Sequence, residues 1–162
     1  MSDPLQLVVA LICSAFFSGM EIAFLSASRL QLEVDSKRAG KKGRVIAQFT
    51  SSPNRFIGSM LMGNTLALVW VGMVAARIMD PWLSPYMGET MVLVVETLLS
   101  TTVVLFVAEY PPKVFFRSRS NSSIQSMAWV LKLVMLVLWP LVTVLTALSA
   151  FILRRMGQDV DA

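Results

Sequence analysis

The segment from Thr90 to Lys113, TMVLVVETLLSTTVVLFVAEYPPK, joins a long apolar run to a carboxylate and a pair of prolines. The apolar part is long enough to cross the hydrocarbon core of a bilayer as a helix, and only Glu96 interrupts it. Glu109 closes the run, and a carboxylate at membrane depth is costly unless it is paired or functional. The segment therefore predicts a membrane protein and makes Glu109 a candidate functional residue.

The proline pair that follows Glu109 predicts free backbone oxygens. Neither proline has an N–H, so the carbonyls of Val107 and Ala108, four residues back, lose their helical partners. A carboxylate and free carbonyls are ligands that a hard cation prefers. The same residues allow a simpler interpretation, in which a proline-terminated helix leaves Glu109 in cytoplasmic water and paired with Lys113.

The composition indicates an integral membrane protein. Of the 162 residues, 56% are hydrophobic and 15% are charged, whereas soluble domains average about 25% charged residues. The net charge of +4 does not indicate nucleic-acid binding, because the basic residues cluster beside apolar spans. Histidine is absent and Cys13 is the single cysteine, which excludes Cys/His zinc sites and an intrachain disulfide. With no Ser–Lys pair or carboxylate dyad either, we expect no enzymatic activity.

Three apolar segments are predicted to be transmembrane helices, at about 5–28, 56–76 and 90–108. Seven basic residues lie from Arg29 to Arg55, whereas the connection from Asp80 to Glu89 contains none. The positive-inside rule then places the N-terminus outside, the 29–55 loop in the cytoplasm and the C-terminus in the cytoplasm.

The segment 126–153 has two interpretations. It is apolar enough to be a fourth span, but spanning would place Arg154 and Arg155 outside. An in-plane or re-entrant helix pair kinked at Pro140 is favoured, because polar and Trp residues recur at helical spacing: Gln125, Trp129, Lys132, Trp139, Thr143, Thr146 and Ser149. The 29–52 loop is predicted to hold a short helix up to Lys37, followed by a Gly/Lys turn (AGKKG).

Polar residues also lie inside the first two spans. Ser18 and Glu21 are three residues apart and share a helical face, and Asn64 lies in the triplet Gly63–Thr65. At about 1.5 Å per residue, Ser18 lies about 15 Å and Asn64 about 12 Å from the cytoplasmic ends of their helices. With a tilted third helix, Glu109 reaches that level, and the three side chains line one cavity. The alternative is ordinary helix packing, since serine and asparagine often hydrogen-bond within and between membrane helices.

Glu96 lies about 20 Å along the helix from Glu109, too far to share a coordination sphere. It is interpreted as a helix-packing carboxyl, a second ion site or a step on an outward path. The hydroxyl, amide, carboxylate and carbonyl oxygens of the inner residues suit Mg²⁺, Ca²⁺ or Na⁺, and this chemistry does not choose among them.

Three motifs in order carry a family resemblance. FFSGMEIAFLSASRLQLE (Phe16–Glu33), GNT (Gly63–Thr65) and AEYPPK (Ala108–Lys113) together resemble the DUF21 transmembrane domain of the CorC/cyclin M (CNNM) family of magnesium transporters. Many members have glycine where Ala108 stands, and one proline is usual where this chain has two. Neither departure removes a proposed ligand.

The resemblance implies an all-α domain over 1–155, homodimeric, with three transmembrane helices per subunit. Juxtamembrane helices at about 29–52 and 123–155 would lie on the cytoplasmic side. Residues 156–162 would begin a linker to cytoplasmic CBS domains. It also implies a multi-pass protein of the cell membrane, the inner membrane in bacteria.

The same resemblance implies dehydrated Mg²⁺ in an inward-facing cavity, exported by a process often described as Na⁺-coupled. The ligands would be Ser18, Asn64 and Glu109 with the carbonyls near Val107 and Ala108, and the further cavity residues are Glu21, Thr65, Glu96 and Lys113. The alternative function is a non-transporting membrane scaffold or signalling module that anchors cytoplasmic regulatory domains.

Overall fold

The structure, a computed structural model, describes residues 2–38 and 40–155, and the described residues are helical apart from short connections. No strand occurs among them, so the all-α prediction is confirmed. Residues 156–162, predicted to begin a linker, lie outside the described residues. In chain order the elements are α1 (Asp3–Ser26), α2 (Arg29–Arg38), α3 (Gly40–Ser51), α4 (Pro53–Leu83), α5 (Glu89–Val103), a π-helical segment (Val104–Glu109), α6 (Tyr110–Ser118) and α7 (Ser120–Arg155).

Local sequence explains several helix boundaries. Pro4 and Pro53 lie in the first turns of α1 and α4, where a residue without an N–H loses no helical hydrogen bond. The helix α1 ends where Ala27 turns to an extended backbone with ψ of 143°. The predicted Gly/Lys turn is wrong in extent, because α3 begins at Gly40. Gly40 has φ of +54°, which glycine adopts readily.

Four helical segments in the described residues are long and apolar enough to cross a membrane: 3–26, 53–83, 89–118 and 120–148. The predicted count of three is therefore one too low by length and composition. The predicted helix pair near 126–153 is a single helix, α7, with Pro140 inside it. A proline in a helix removes one backbone hydrogen bond, and the apolar helix continues on both sides of it.

The helix predicted to end at Ala108 continues through α6 to Ser118. The proline pair does not terminate it, since the prolines occupy the first turn of α6 and the π-helical segment precedes them. A proline in a first turn has no N–H to leave unpaired, which is why the chain stays helical here.

The main hydrophobic core lies where α1, α3, α4 and α7 meet. Phe56 stacks on Phe24 at 4.3 Å between ring centroids and meets Phe49 at 5.1 Å. The helix α7 adds Ile124, Ala128 and Leu131 to this core. Further along α7, Val142 approaches Gly58, and Trp139 lies 5.2 Å from the Arg55 guanidinium. These partners on α4 all lie in its first two turns.

The helix α1 is central, because it packs against α4, the π-helical segment, α6 and α7. Two glycines allow close approach. A Cβ on Gly63 of α4 would overlap the Phe17 ring, and a Cβ on Gly19 of α1 would overlap the Phe116 ring of α6. Residues 17–19 of α1 thereby contact α4 on one side and α6 on the other.

Candidate cation site

Ser18 lies at the meeting point of these three helices. Its neighbours Phe17 and Gly19 pack against α4 and α6 respectively, and Ser18 itself is fully buried. The Ser18 hydroxyl oxygen has no hydrogen-bond partner in the part of the chain that the structure describes. A buried hydroxyl without a partner is unusual, because most buried polar atoms are hydrogen-bonded. Ser18 therefore retains the capacity to bind a ligand.

Asn64 is joined to α1 by a residue that the sequence prediction missed. The Ser14 hydroxyl donates a hydrogen bond of 2.8 Å to Asn64 Oδ1, and both residues are buried. Ser14 precedes Ser18 by four residues, so it lies one turn away on the same face of α1. That spacing was the sequence signal for Ser14, and it does not reveal the partner Asn64. The Ser14–Asn64 bond holds the two helices in register beside Ser18.

The π-helical segment alters the backbone in front of the proline pair. The Tyr110 N–H donates to the Leu105 carbonyl, five residues back, which is the π-helical pattern. Because the next two residues are prolines, the carbonyls of Val107 and Ala108 have no donor four residues ahead of them. Single π-helical turns in α-helices occur frequently at functional sites. The sequence predicted free carbonyls but gave no sign of the π-helical turn.

Glu109 ends the π-helical segment and forms an ion pair. Its Oε2 lies 3.3 Å from Lys113 Nζ, with 26% of the Glu109 side chain and 43% of the Lys113 side chain exposed. The simpler interpretation of this motif is therefore correct about the pairing. A pair this exposed and four residues apart is weak, so it leaves Glu109 available to a stronger cation.

The remaining predicted cavity residues lie in different surroundings. Thr65 is exposed, and its hydroxyl donates to the Leu61 carbonyl of its own helix at 2.9 Å. Glu21 is partly buried on α1. Glu96 is buried on α5 and lines a separate cavity toward the other end of α4.

The donor set fits a hard cation bound mainly by neutral oxygens. Within the described ranges, no three Asp, Glu, Cys or His side chains converge as a metal-binding group. The predicted residues offer hydroxyl, amide, carboxylate and backbone carbonyl oxygens, donor types that suit Mg²⁺, Ca²⁺ or Na⁺. The structure has one cavity between the start of α4 and α7, beside Arg55 and Trp139, and another beside Glu96. Neither is lined by Ser18, Asn64 or Glu109.

Comparison with known proteins decides the family. The sequence profile of the cyclin M transmembrane N-terminal domain matches residues 5–162, nearly the whole chain. The chain belongs to the cyclin M (CNNM) transmembrane domain family. The resemblance inferred from the FSG, GNT and EYPPK motifs is thus confirmed, and the chain is a multi-pass membrane domain.

Two curated proteins are similar to this cyclin M domain. The UPF0053 protein sll0260 of Synechocystis is 29% identical over 159 residues, which cover 92% of this chain and 35% of that protein. The UPF0053 inner membrane protein YfjD of Escherichia coli is 26% identical over 148 residues, covering 91% of this chain and 33% of that protein. The chain therefore spans about a third of the length of these relatives.

Proposed function

We propose that this domain is the membrane part of a Mg²⁺ transporter that exports Mg²⁺, with Na⁺ as the coupling ion. The observation that carries the proposal is the buried Ser18 hydroxyl without a partner, at the contact of α1, α4 and the π-helical third membrane helix. Ser18, Asn64, Glu109 and the carbonyls of Val107 and Ala108 would replace water around the ion. Membership of the cyclin M family supports Mg²⁺ over the other hard cations.

The proposed arrangement in the membrane follows the distribution of basic residues. The N-terminus lies outside, α2 and α3 lie in the cytoplasm, and the C-terminus is cytoplasmic. We propose that α7 is a juxtamembrane helix in the interface. In support, α7 contacts α4 at Arg55 and Gly58, which lie in the first two turns of α4, and crossing would place Arg154 and Arg155 outside.

The proposed assembly is a homodimer in the cell membrane, the inner membrane in bacteria. The Escherichia coli relative is named as an inner membrane protein, which supports this location. Because those relatives are about three times as long, cytoplasmic regulatory domains of the CBS type are proposed partners within a longer chain. We propose no enzymatic or nucleic-acid-binding role.

A second function is a scaffold that does not transport ions. The observations favouring it are the Ser14–Asn64 hydrogen bond and the Glu109–Lys113 ion pair, which occupy two of the three predicted ligands without any ion. On this alternative the polar residues serve helix packing, and the domain anchors cytoplasmic domains. It predicts no Mg²⁺ flux.

Flux through reconstituted vesicles separates the two functions. Vesicles containing the protein are loaded with a Mg²⁺-sensitive dye and given Mg²⁺ and Na⁺ gradients, singly and together. Ser18→Ala, Asn64→Ala and Glu109→Ala are each expected to reduce Mg²⁺ flux at least tenfold. Ser59→Ala is the matched control, because Ser59 is also buried on a membrane helix but donates to the Arg55 carbonyl at 2.8 Å.

Absence of flux from the parent protein would contradict transport and favour the scaffold. Parent-like flux in the three variants would show that the site assignment is wrong. Mg²⁺ flux that is the same with and without a Na⁺ gradient would contradict Na⁺ coupling but not Mg²⁺ transport.

A further inference from the structure

A cavity of about 650 Å³ lies between the C-terminal end of α4 and the N-terminal half of α5. Its polar lining comprises Arg77, Asp80, Ser84, Glu89 and Glu96. Three carboxylates beside one guanidinium make the lining net negative. The cavity contains none of the residues proposed to bind the ion near Ser18, so it is a separate feature of the domain.

Glu96 is the unusual residue of this cavity. The residue is only 7% exposed, and its Oε1 is buried without a hydrogen-bond partner in the described residues. Burying a carboxylate without a partner costs free energy, and buried charges in proteins are normally paired or bound to metal ions. A ligand that contacts this oxygen would remove the cost.

The basic residue of the lining, Arg77, is not paired with Glu96. Arg77 Nη2 donates to Gln6 Oε1 of α1 at 3.2 Å. The one ion pair within 4 Å among the described residues joins Glu109 to Lys113, and it lies at the other end of the third membrane helix. Asp80, Glu89 and Glu96 are therefore free of ion pairs in the part of the chain that the structure describes.

The geometry excludes a tight cage and leaves room for water. No three acidic side chains in the described residues converge as a metal-binding group, so a bare ion would not find three charged ligands together here. At about 30 Å³ per water, an ion with six waters needs roughly 180 Å³, well within the cavity. Mg²⁺ loses water reluctantly and is commonly bound through one or two carboxylates with waters retained.

We propose that this cavity is an outer cation site, which holds a hydrated divalent cation against the Glu96 carboxylate. The assignment rests on the proposed function for the identity of the ion, Mg²⁺, and for the outer position of this end of the domain. Glu96 lies about 20 Å along the helix from Glu109. The ion bound without water at the inner level would regain its waters here before leaving, and Asp80 and Glu89 would hold it electrostatically.

A protection experiment tests the site without relying on transport. Ser84→Cys is introduced at the cavity lining in a Cys13→Ala background, and a membrane-impermeant cationic thiol reagent is added to the outer face of intact cells. Addition of Mg²⁺, with choline chloride at equal ionic strength as reference, is expected to slow labelling at least fivefold. Glu96→Gln keeps the shape of the side chain and is expected to reduce this protection to less than twofold.

Glu33→Gln is the matched control, because Glu33 is an exposed carboxylate on α2 outside the cavity, and Mg²⁺ protection should persist in it. Equal protection with and without Glu96 would overturn the site. Labelling only from the cytoplasmic face would overturn its outer position, and equal protection by Na⁺ at the same concentration would overturn the divalent assignment. If Mg²⁺ does not slow labelling in the Ser84→Cys protein but Mg²⁺ flux is normal, the outer site alone is overturned. If Mg²⁺ slows labelling but no flux is found, the transporter proposal is overturned and the outer site is supported.

Discussion

The two ends of this domain differ in how their polar residues are held. At the end where α1, α3, α4 and α7 meet, large side chains such as Phe49, Phe56 and Met60 are almost completely buried. At the other end, α5 buries only Val92 and Glu96. In the most apolar 18-residue stretch of α4, 39% of the residues are buried in the protein, whereas 17% are buried in the corresponding stretch of the third membrane helix.

The comparison shows which buried polar side chains find a partner within the protein and which do not. In the packed end, Asn64 has Ser14 as a partner, and dense contacts explain why the helices stay in place. In the sparsely packed end, Glu96 is buried without a partner for its Oε1 among the described residues. Packing therefore accounts for Asn64 without a ligand but not for Ser18 or Glu96.

The largest expected effect tests the packed end directly. Phe56→Ala removes a fully buried ring that stacks on Phe24, so we expect it to lower the free energy of unfolding by about 3–5 kcal/mol. Leu98→Ala, on the exposed face of α5, is expected to change it by less than about 0.5 kcal/mol. Thermal unfolding in detergent measures both, and similar losses would abolish the contrast between the two ends.

Two glycines of α4 sharpen the comparison along one helix. Gly63→Ala places a methyl group against the Phe17 ring and is expected to cost about 1–3 kcal/mol of stability. Gly72 has open space at its Cβ position, so Gly72→Ala is expected to stabilise the helix by about 0.5–1 kcal/mol. The same unfolding assay should show opposite signs. Equal signs would mean that α1 does not approach α4 closely at Gly63.

The interhelical hydrogen bond gives a smaller effect. Ser14→Ala removes the donor to Asn64, and hydrogen bonds between membrane helices average about 0.6 kcal/mol with a maximum near 1.7 kcal/mol. Thr97→Val on α5 is the control, because the Thr97 hydroxyl bonds only to the Leu93 carbonyl of its own helix. We expect destabilisation by Ser14→Ala alone, and a double-mutant cycle with Asn64→Ala measures the coupling. Additive losses would show that the bond contributes nothing.

The smallest effect on stability concerns the Glu109–Lys113 pair. Lys113→Met is expected to cost only about 0.3–0.5 kcal/mol, because the pair is four residues apart and partly exposed. If Glu109 binds Mg²⁺, removing the competing ammonium should lower the Mg²⁺ concentration that gives half-maximal thermal stabilisation. Lys132→Met, which removes an exposed charge near Trp129, should leave that concentration unchanged. An unchanged value in Lys113→Met would count against Glu109 as a ligand.

Polar residues inside apolar runs, and the short motifs around them, predicted most of the candidate site. The positions of Ser18, Asn64 and Glu109 followed from polar residues in apolar runs, and the structure buries the first two. Ser14 was missed because a lone serine in a membrane helix is common, and only the fold brings it to Asn64. The close approaches at Gly19 and Gly63 also depend on which helices become neighbours.

The helix boundaries near the prolines could not be obtained from local preferences. Proline disfavours a helix interior, so the sequence indicated an end at Ala108 and a kink at Pro140. The structure instead keeps both stretches helical, with a π-helical turn before the first and a continuous α7 through the second. The π-helical segment and α6 pack against α1, and α7 packs against α1 and α4, and local preferences do not reveal these tertiary contacts.

By itself, the sequence determined an all-helical membrane domain of the cyclin M family and its inner polar residues, because hydropathy and short motifs are local properties. Only the tertiary structure decided that Ser14 pairs with Asn64, that Ser18 is left without a partner among the described residues, and that Glu96 shares a negative cavity with Asp80 and Glu89. These facts depend on which helices pack together, since a hydroxyl or carboxylate is satisfied or not by atoms distant in the chain.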